Sequence, residues 1–159
     1  MLVAAGGAAA PERSGVIPKP GTWTGKTWQG KPVSLQISAD GRRWQKFHAT
    51  MVLMCNGSGT WKRNLPFNVW FSTGAWQPIQ IQSGSSVSYM ERTVNGKTQQ
   101  GDPLYMWVKG TFHYTAGSGS TVSTYVRGML QVNVKHSTKG ECFLHHASDS
   151  SGWEARPSG

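Results

Sequence analysis

Aromatic and basic residues alternate on the predicted outward side of two neighbouring strands late in the chain. The set comprises Tyr105, Trp107, Lys109, His113, Tyr125 and Arg127. Aromatic faces stack on sugar rings or bases, while flanking cations pair with phosphate, sulfate or carboxylate groups. The pattern therefore indicates a binding surface for an acidic polysaccharide or another polyanion, with nucleic acid less favoured but still open.

Two other interpretations of this stripe stay open. A second layer can cover it, since outward aromatic residues on strands are often plain cross-strand pairs. It can also be a subunit interface, because Trp, Tyr, Met and Arg are enriched at interface cores. A Pro-rich arm at the start of the chain would suit assembly by strand addition, so a homo-oligomer is a further expectation.

Acidic residues are few and scattered, which argues against hydrolytic chemistry. They are Glu12, Asp40, Glu91, Asp102, Glu141, Asp149 and Glu154. No pair is close in sequence, although a fold could still bring two carboxylates to the separations that glycoside hydrolysis needs. No G-x-S-x-G motif supports a serine hydrolase. We assign no catalytic residue, and the sequence favours a non-catalytic protein over an enzyme.

A group of metal-compatible side chains lies near the end of the chain. It contains His136, Glu141, His145, His146 and Asp149. Imidazole and carboxylate groups are common metal ligands, but adjacent histidines on an extended strand point to opposite faces. His145 and His146 therefore do not chelate one ion together, and we predict neither a metal site nor a cofactor.

Two cysteines, Cys55 and Cys142, lie 87 positions apart, and neither has a second cysteine nearby to form a CxxC pair. This spacing favours a structural disulfide over redox or zinc chemistry, with two buried free thiols as the alternative. In the chain-entropy model, closing so long a loop contributes about 4–5 kcal/mol. The bond would persist in an oxidising compartment.

Composition bounds the class of protein. The 159 residues suffice for one domain, and the net charge is +9 although only 14% of the residues are charged. Twenty glycines and eight tryptophans argue against a disordered polyelectrolyte, and no apolar run reaches the ~20 residues of a membrane-spanning helix. The sequence predicts a soluble globular domain whose charge attracts polyanions without specifying one.

Apolar residues alternate with period two throughout the chain, and no helix-length stretch has them at i, i+3, i+4 and i+7. The pattern predicts an all-β fold, an antiparallel β-sandwich or a flattened β-barrel of about 8–10 strands closed by one disulfide. The predicted strands are 22–28, 31–38, 43–55, 66–71, 78–82, 86–94, 104–115, 121–135, 140–145 and 151–156.

Two turns are predicted from glycine positions. The inward residues before Asp40-Gly41 and those from Phe47 to Cys55 all have odd numbers. Pairing between odd-numbered residues requires a loop with an odd number of residues. We therefore expect a three-residue loop with Gly41 left-handed in a G1 bulge. Asn95-Gly96 is typical of a type I′ hairpin turn.

A third hairpin, centred on Gly119, predicts the register of the two longest strands. Symmetric pairing would place Gly110 opposite Gly128 on the inward face and leave a gap there. We expect Trp23 or Trp153 to fill it. The same register directs Tyr105, Trp107, Lys109, Thr111 and His113 outward.

The chain divides into residues 1–20 and a single β domain at 21–159. Its first ten residues are small and apolar and precede Pro11, as at the end of an export signal. Three prolines follow between positions 11 and 20. We interpret residues 1–20 as a signal remnant or a flexible arm.

Several short motifs resemble a group of small secreted all-β bacterial proteins. They are Gly21-Thr22-Trp23-Thr24-Gly25-Lys26-Thr27, Asp40-Gly41, Cys55, Gly110-Thr111-Phe112, Gly128, Cys142 and Trp153-Glu154-Ala155-Arg156. The resemblance spans most of residues 21–156. It implies export and one disulfide, and it carries over no catalytic residue.

Together these features predict a secreted or cell-surface, non-catalytic β domain that acts as a binding or self-assembly module at the bacterial envelope. The alternative is a small β-barrel enzyme or small-ligand carrier with a site inside the barrel mouth. A packed interior and an open Trp107 face would favour the first of these, whereas an interior cavity lined by Trp with a buried His and a carboxylate would favour the second.

Overall fold

The fold was obtained as a computed structural model. It describes residues 15–56, 63–70 (backbone only), 75–98, 100–114, 121–144 and 152–159. Within these ranges the chain forms thirteen strands and no helix that is long and apolar enough to span a membrane. The strands are β1 (Ile17–Pro18), β2 (Gly21–Thr27), β3 (Pro32–Ile37), β4 (Arg43–Cys55), β5 (Arg63–Trp70), β6 (Gln77–Pro78), β7 (Gln80–Ile81), β8 (Val87–Lys97), β9 (Pro103–His113), β10 (Val122–Ser123), β11 (Val126–His136), β12 (Gly140–Phe143) and β13 (Gly152–Pro157).

The predicted all-β class is confirmed, and of the two architectures expected the structure has the barrel. Six antiparallel strands close a hydrogen-bonded ring in the order β4, β3, β2, β13, β11 and β12. The sheet continues outward from β11 through β9, β8 and β7. On the other side, β5 and β6 each pair with β4. Because β6 pairs with β4 and β7 pairs with β8, the segment Gln77–Ile81 joins the two outer parts.

The predicted disulfide joins β4 to β12. Cys55 and Cys142 are directly opposite each other in the antiparallel pair, with Cα atoms 4.0 Å apart. Both residues are buried, and the bond spans 87 positions. The bridge therefore links two neighbouring strands of the ring, and β12 in turn pairs with β11 to complete it.

Inward side chains fill the interior with aromatic rings. The largest fully buried side chains include Trp23, Trp44, Trp153, Phe47 and Phe112. Trp23 meets Phe112 edge-to-face at 5.4 Å between ring centroids, and Phe47 meets Trp153 at 5.2 Å. Burying an aromatic side chain of this size contributes on the order of 2–3 kcal/mol, so this ring cluster is a main source of stability.

The register of β9 and β11 follows the prediction, with Gly110 opposite Gly128. Trp153 occupies the gap they leave. A Cβ atom on Gly128 would lie 2.4 Å from the Trp153 ring, and one on Gly110 would lie 3.0 Å from it. The indole nitrogen donates a hydrogen bond to the Met129 carbonyl, at 3.2 Å. These two glycines are therefore required by the indole that packs on them.

The predicted three-residue loop at Asp40-Gly41 is wrong. Ser38 and Arg43 are joined by a backbone hydrogen bond of 2.9 Å, which leaves four residues between them. Gly41 is left-handed as expected, with φ +69°. The extra residue that changes the alternation of inward positions lies instead inside β4, where a β-bulge lies opposite Leu35 and Lys46 has φ +52°. Trp44, an even position, is consequently buried along with Phe47.

The predicted hairpin at Asn95-Gly96 is also wrong. Both residues continue β8, paired with Tyr105 and Leu104. The turn comes later, where the Thr98 nitrogen donates to the Asp102 carbonyl at 2.9 Å and Gly101 has φ +88°. Pairing along the full length of β9 outweighs the local preference of the Asn-Gly pair.

Packing begins before the expected domain start at Gly21. Val16 is buried, and β1 pairs in parallel with β10. The predicted continuous strand 121–135 is accordingly interrupted at Thr124 and Tyr125, between β10 and β11. Residues 1–14 of the segment interpreted as a signal remnant or flexible arm, residues 1–20, lie outside the described ranges, as do residues 115–120 of the Gly119 hairpin.

Candidate functional site

The predicted binding stripe lies on the outward face of β9 and β11. Trp107 is opposite Gln131, Lys109 is opposite Met129, and Thr111 is opposite Arg127. The inward neighbours of these residues are buried in the core. Alternation along two registered strands therefore directs the aromatic and basic side chains to one outer surface.

Four of the six predicted residues line one open groove of about 390 Å³, which we call the aromatic groove. Its side chains are those of Trp28, Trp107, Lys109, Thr111, His113, Arg127 and Met129, and the backbone of Gly128 and Gly152 completes it. Tyr125 lies beside the groove, in contact with Arg127. Tyr105 lies in a separate depression further along β9.

Trp28 is the main residue of this groove that the sequence analysis missed. It follows β2, and its side chain is 52% exposed. Its backbone nitrogen donates to the Gly152 carbonyl at 2.9 Å. A Cβ atom on Gly152 would lie 2.3 Å from the Trp28 indole nitrogen. Gly152 thus allows the indole to lie directly on the β13 backbone.

A signal for Trp28 is present in the sequence. Trp23 and Thr27 are buried and lie on the inward face of β2, so alternation directs position 28 outward. Its contact with Gly152 joins residues 124 positions apart. Without the β2–β13 pairing, which places Thr27 opposite Trp153, the sequence does not indicate that Trp28 meets Trp107 in one groove.

Tyr125 organises the cations at one end of the groove. The Arg127 Nε donates to the Tyr125 hydroxyl at 3.0 Å, and this hydroxyl donates to Glu154 Oε2 at 3.0 Å. The guanidinium of Arg156 lies 4.7 Å from the centre of the Tyr125 ring. His113 contacts the same ring at 5.9 Å between centroids. Three basic side chains therefore surround one phenol.

Trp107 makes a hydrogen bond across the strands. Its indole nitrogen donates to Glu91 Oε1 at 2.8 Å. Glu91 lies on β8, directly across from Lys109. In the described part of the chain, no carboxylate oxygen lies within 4.0 Å of the charged nitrogens of Lys109 or Arg127. Among the described residues, therefore, neither cation forms an ion pair within 4.0 Å, although the Arg127 Nε donates to the Tyr125 hydroxyl.

The side chains that line the aromatic groove include two indoles and two cations. The Trp28 indole is exposed and the Trp107 indole is half-buried, and the residues that line the groove include neither a carboxylate nor a cysteine. Aromatic faces attract rings and cations attract anionic substituents. The arrangement suits a ligand that carries both.

The metal-compatible group at the end of the chain is only partly described. His145, His146 and Asp149 lie outside the described residues, and among the remainder no three metal-ligating side chains meet. His136 lies near Asp102 instead, with 3.9 Å between Nε2 and Oδ2. The Asp102 Oδ1 accepts a hydrogen bond from the Ser137 nitrogen at 3.0 Å, so this carboxylate links two turns.

Comparison with known proteins adds no identity: the chain matches no protein-family model, no curated protein and no solved structure. Its function is therefore argued from the geometry of the groove.

Proposed function

We propose that this protein is a secreted, non-catalytic binding module of the bacterial envelope, and that its aromatic groove holds an acidic polysaccharide. One observation carries the proposal. Trp28 and Trp107 share an open groove with Lys109 and Arg127, two cations that have no carboxylate within 4.0 Å among the described residues.

An acidic polysaccharide matches both components of this groove. Each sugar ring has an apolar face that can lie against an indole, and each uronate carries a carboxylate that can pair with Lys or Arg. The net charge of +9 adds a long-range attraction to such polymers. A neutral glycan would leave both cations unpaired, so we expect it to bind more weakly.

Secretion is supported by the disulfide and by the resemblance to small secreted bacterial proteins. Structural disulfides persist in oxidising compartments and are rare in the cytosol. The Cys55–Cys142 bridge links two paired strands of the barrel, and an oxidising compartment would maintain this bond. We assign the protein to the cell surface or the extracellular space on this basis.

The test is calorimetric titration with polygalacturonate, a carboxylated glycan, and with neutral dextran of similar size. We expect the wild-type protein to bind only the polygalacturonate, with an affinity that falls as salt is raised because charges become screened. The double variant Trp107→Ala/Lys109→Ala should lose at least about tenfold in affinity, which corresponds to about 1.4 kcal/mol.

The matched control is Arg42→Ala, which removes one positive charge from the exposed turn between β3 and β4. It lowers the net charge as Lys109→Ala does and leaves the groove intact. Equal loss of affinity in Arg42→Ala and Lys109→Ala would show that binding is nonspecific. If the double variant bound polygalacturonate with wild-type affinity, the aromatic groove would be rejected as the binding site.

Self-assembly is a second candidate, favoured by the distribution of exposed apolar side chains. Among the described residues, the large hydrophobic side chains that are exposed are Trp28, Tyr105, Val122 and Met129. Three of these belong to the two depressions on the β9–β11 face. Sedimentation velocity over a wide range of concentrations tests it, and a dimer that Met129→Glu dissociates would support this role over glycan binding.

An interior site, as in a β-barrel carrier or enzyme, has less support. Trp23, Trp44 and Trp153 are fully buried and pack in the interior with Phe47 and Phe112. A ligand that entered there would have to displace these rings. The outer groove needs no such rearrangement, and we therefore favour it.

A further inference from the structure

A second depression lies on the same outer face, beyond Trp107 along β9. It has a volume of about 460 Å³, and we call it the polar groove. Its lining includes Tyr105, Asn95, Asn133, Lys97 and Lys135. Tyr105 is 43% exposed. This groove presents one aromatic ring, two amides and two ammonium groups.

The strand registers place both grooves on one continuous strip. Asn95, Tyr105 and Asn133 form one row across β8, β9 and β11. Thr93, Trp107 and Gln131 form the next row. Because rows on one face are two residues apart, they are separated by roughly 7 Å.

The following row contains Glu91, Lys109 and Met129. Lys109 and Met129 line the aromatic groove, whereas Glu91 is not part of its lining and accepts the hydrogen bond of the Trp107 indole. Lys109 and Pro103 lie six residues apart on β9, which corresponds to roughly 20 Å along the strand. Trp107 lies between them, one row from Tyr105. The two grooves are therefore ends of a strip rather than unrelated hollows.

The charges along this strip are suited to one kind of occupant. Lys109 and Arg127 mark one end, and Lys97 and Lys135 mark the other. Neither lining includes a carboxylate. Glu141 is the cross-strand neighbour of Lys135, but in the described residues no ion pair within 4.0 Å joins them.

We propose that the aromatic and polar grooves form one cleft for an extended acidic polysaccharide, with a cationic subsite at each end about 20 Å apart. This inference rests on the proposed function and specifies the ligand further. A linear glycan can lie along the strip, place ring faces on Trp107 and Tyr105, direct hydroxyls to Asn95 and Asn133, and reach both pairs of cations. A compact anion can use only one end.

The test compares a short oligogalacturonate that fills one groove with a long one that spans both. Linking two subsites through one ligand makes the second contact intramolecular. We expect the wild-type protein to bind the long oligomer at least about tenfold more tightly per molecule than the short one. We expect Tyr105→Ala/Lys135→Ala to reduce long-oligomer affinity towards the short-oligomer value, with short-oligomer binding retained at the aromatic groove.

Lys139→Glu is the charge-matched control for Lys135→Glu, and Lys139→Ala for the alanine variant, since Lys139 lies on the turn between β11 and β12, off the strip. If the double variant fails to fold, Lys135→Glu alone tests the same subsite, and circular dichroism establishes that it is folded. Loss of the length advantage in Lys135→Glu but not in Lys139→Glu would support the cleft.

Three results would overturn the inference, and they differ in what they leave standing. Equal affinity for short and long oligomers would reject the extended cleft and keep the aromatic groove. Absence of binding to either oligomer would reject the proposed function as well. Tighter binding of a single-stranded oligonucleotide of matched length and charge, lost in Trp107→Ala, would assign the strip to nucleic acid instead.

Discussion

The two sides of β9, β11 and β13 differ in the side chains that they carry and in how far these are exposed. On the inner side Phe112, Val126 and Trp153 are completely buried. On the outer side Lys109, Arg127 and Met129 are exposed and border a groove. Since the strands are shared, the position of each residue relative to the pleat decides whether its side chain packs inside the barrel or borders the outer groove.

Gly152 and Trp153 show this division between adjacent positions. Gly152 accommodates the Trp28 indole on the outer side, while Trp153 occupies the gap at Gly110 and Gly128 on the inner side. The β13 backbone at these two consecutive positions therefore separates the Trp28 indole from the Trp153 indole. From this contrast we expect inner changes to reduce stability and outer changes to reduce binding.

The largest expected effect is removal of the buried disulfide. Cys55→Ser/Cys142→Ser should lower the free energy of unfolding by about 4–5 kcal/mol, because the bond constrains an 87-residue separation in the unfolded chain. Guanidinium denaturation measures the change, and wild-type protein in excess dithiothreitol is the control. A loss below about 1 kcal/mol would mean that the unfolded chain is not constrained as the chain-entropy model assumes.

Replacing the inner tryptophan sharpens the contrast directly. Trp153→Ala removes a fully buried ring and its hydrogen bond to Met129, and we expect a loss of about 3–5 kcal/mol. Trp28→Ala, on the outer side, should cost roughly 1 kcal/mol because half of that side chain is already in water. Urea denaturation of both variants tests this, and equal losses would contradict the division.

A smaller effect is expected from adding one methyl group to the inner face. Gly128→Ala would place a Cβ atom 2.1 Å from the Lys109 carbonyl oxygen and 2.4 Å from the Trp153 ring, so we expect a loss of about 1–3 kcal/mol from overpacking. Gly96→Ala is the control, since its nearest neighbour would be a Val94 methyl group at 3.7 Å. Thermal unfolding compares them, and similar melting temperatures would show that the indole can shift.

The smallest effect concerns the exposed turn between β3 and β4. The Ser38 hydroxyl and the Arg42 backbone nitrogen, which donate to the carboxylate, hold the pKa of Asp40 below its ordinary value. A lowered pKa in the folded state contributes stability above the unfolded-state pKa of about 3.9, and this is lost as the pH falls through the folded-state value.

Asp40→Asn should therefore lower the melting temperature slightly at neutral pH and not at strongly acidic pH. Differential scanning calorimetry of the variant and the wild type at several pH values measures this. A difference in melting temperature that does not change with pH would mean that the Asp40 charge contributes nothing and that only the shape of the side chain matters.

Alternation and the Gly119 symmetry were enough to predict the inner and outer faces of β9 and β11, including the Gly110–Gly128 pair. The alternation is a local pattern, and the symmetry depends on one hairpin. The Asn95-Gly96 turn was mispredicted because pairing with β9 extends to Lys97. The parallel pairing of β1 with β10 joins segments about 100 positions apart, and no local pattern indicates it.

The candidate site was predictable to the same extent. Trp107, Lys109, His113 and Arg127 were recognised because they lie on two strands of one hairpin. Trp28 was missed because its place in the groove depends on the closure of the barrel by β2 and β13. The polar groove could not be predicted because Asn95 and Lys97, which line it, belong to β8. The sequence pattern places Asn95 in a hairpin turn instead.

The bulge at Lys46 makes the length of β4 critical in a way that its composition does not reveal. Trp44 lies on one side of this bulge and Phe47 on the other. Both side chains face inward only because the bulge inserts one additional residue between them, which shifts the alternation of inward and outward positions. Deleting Lys46 would invert the segment from Arg43 to Gln45, so that Trp44 faced water. A single-residue deletion here would thus do more damage than most substitutions in the same strand.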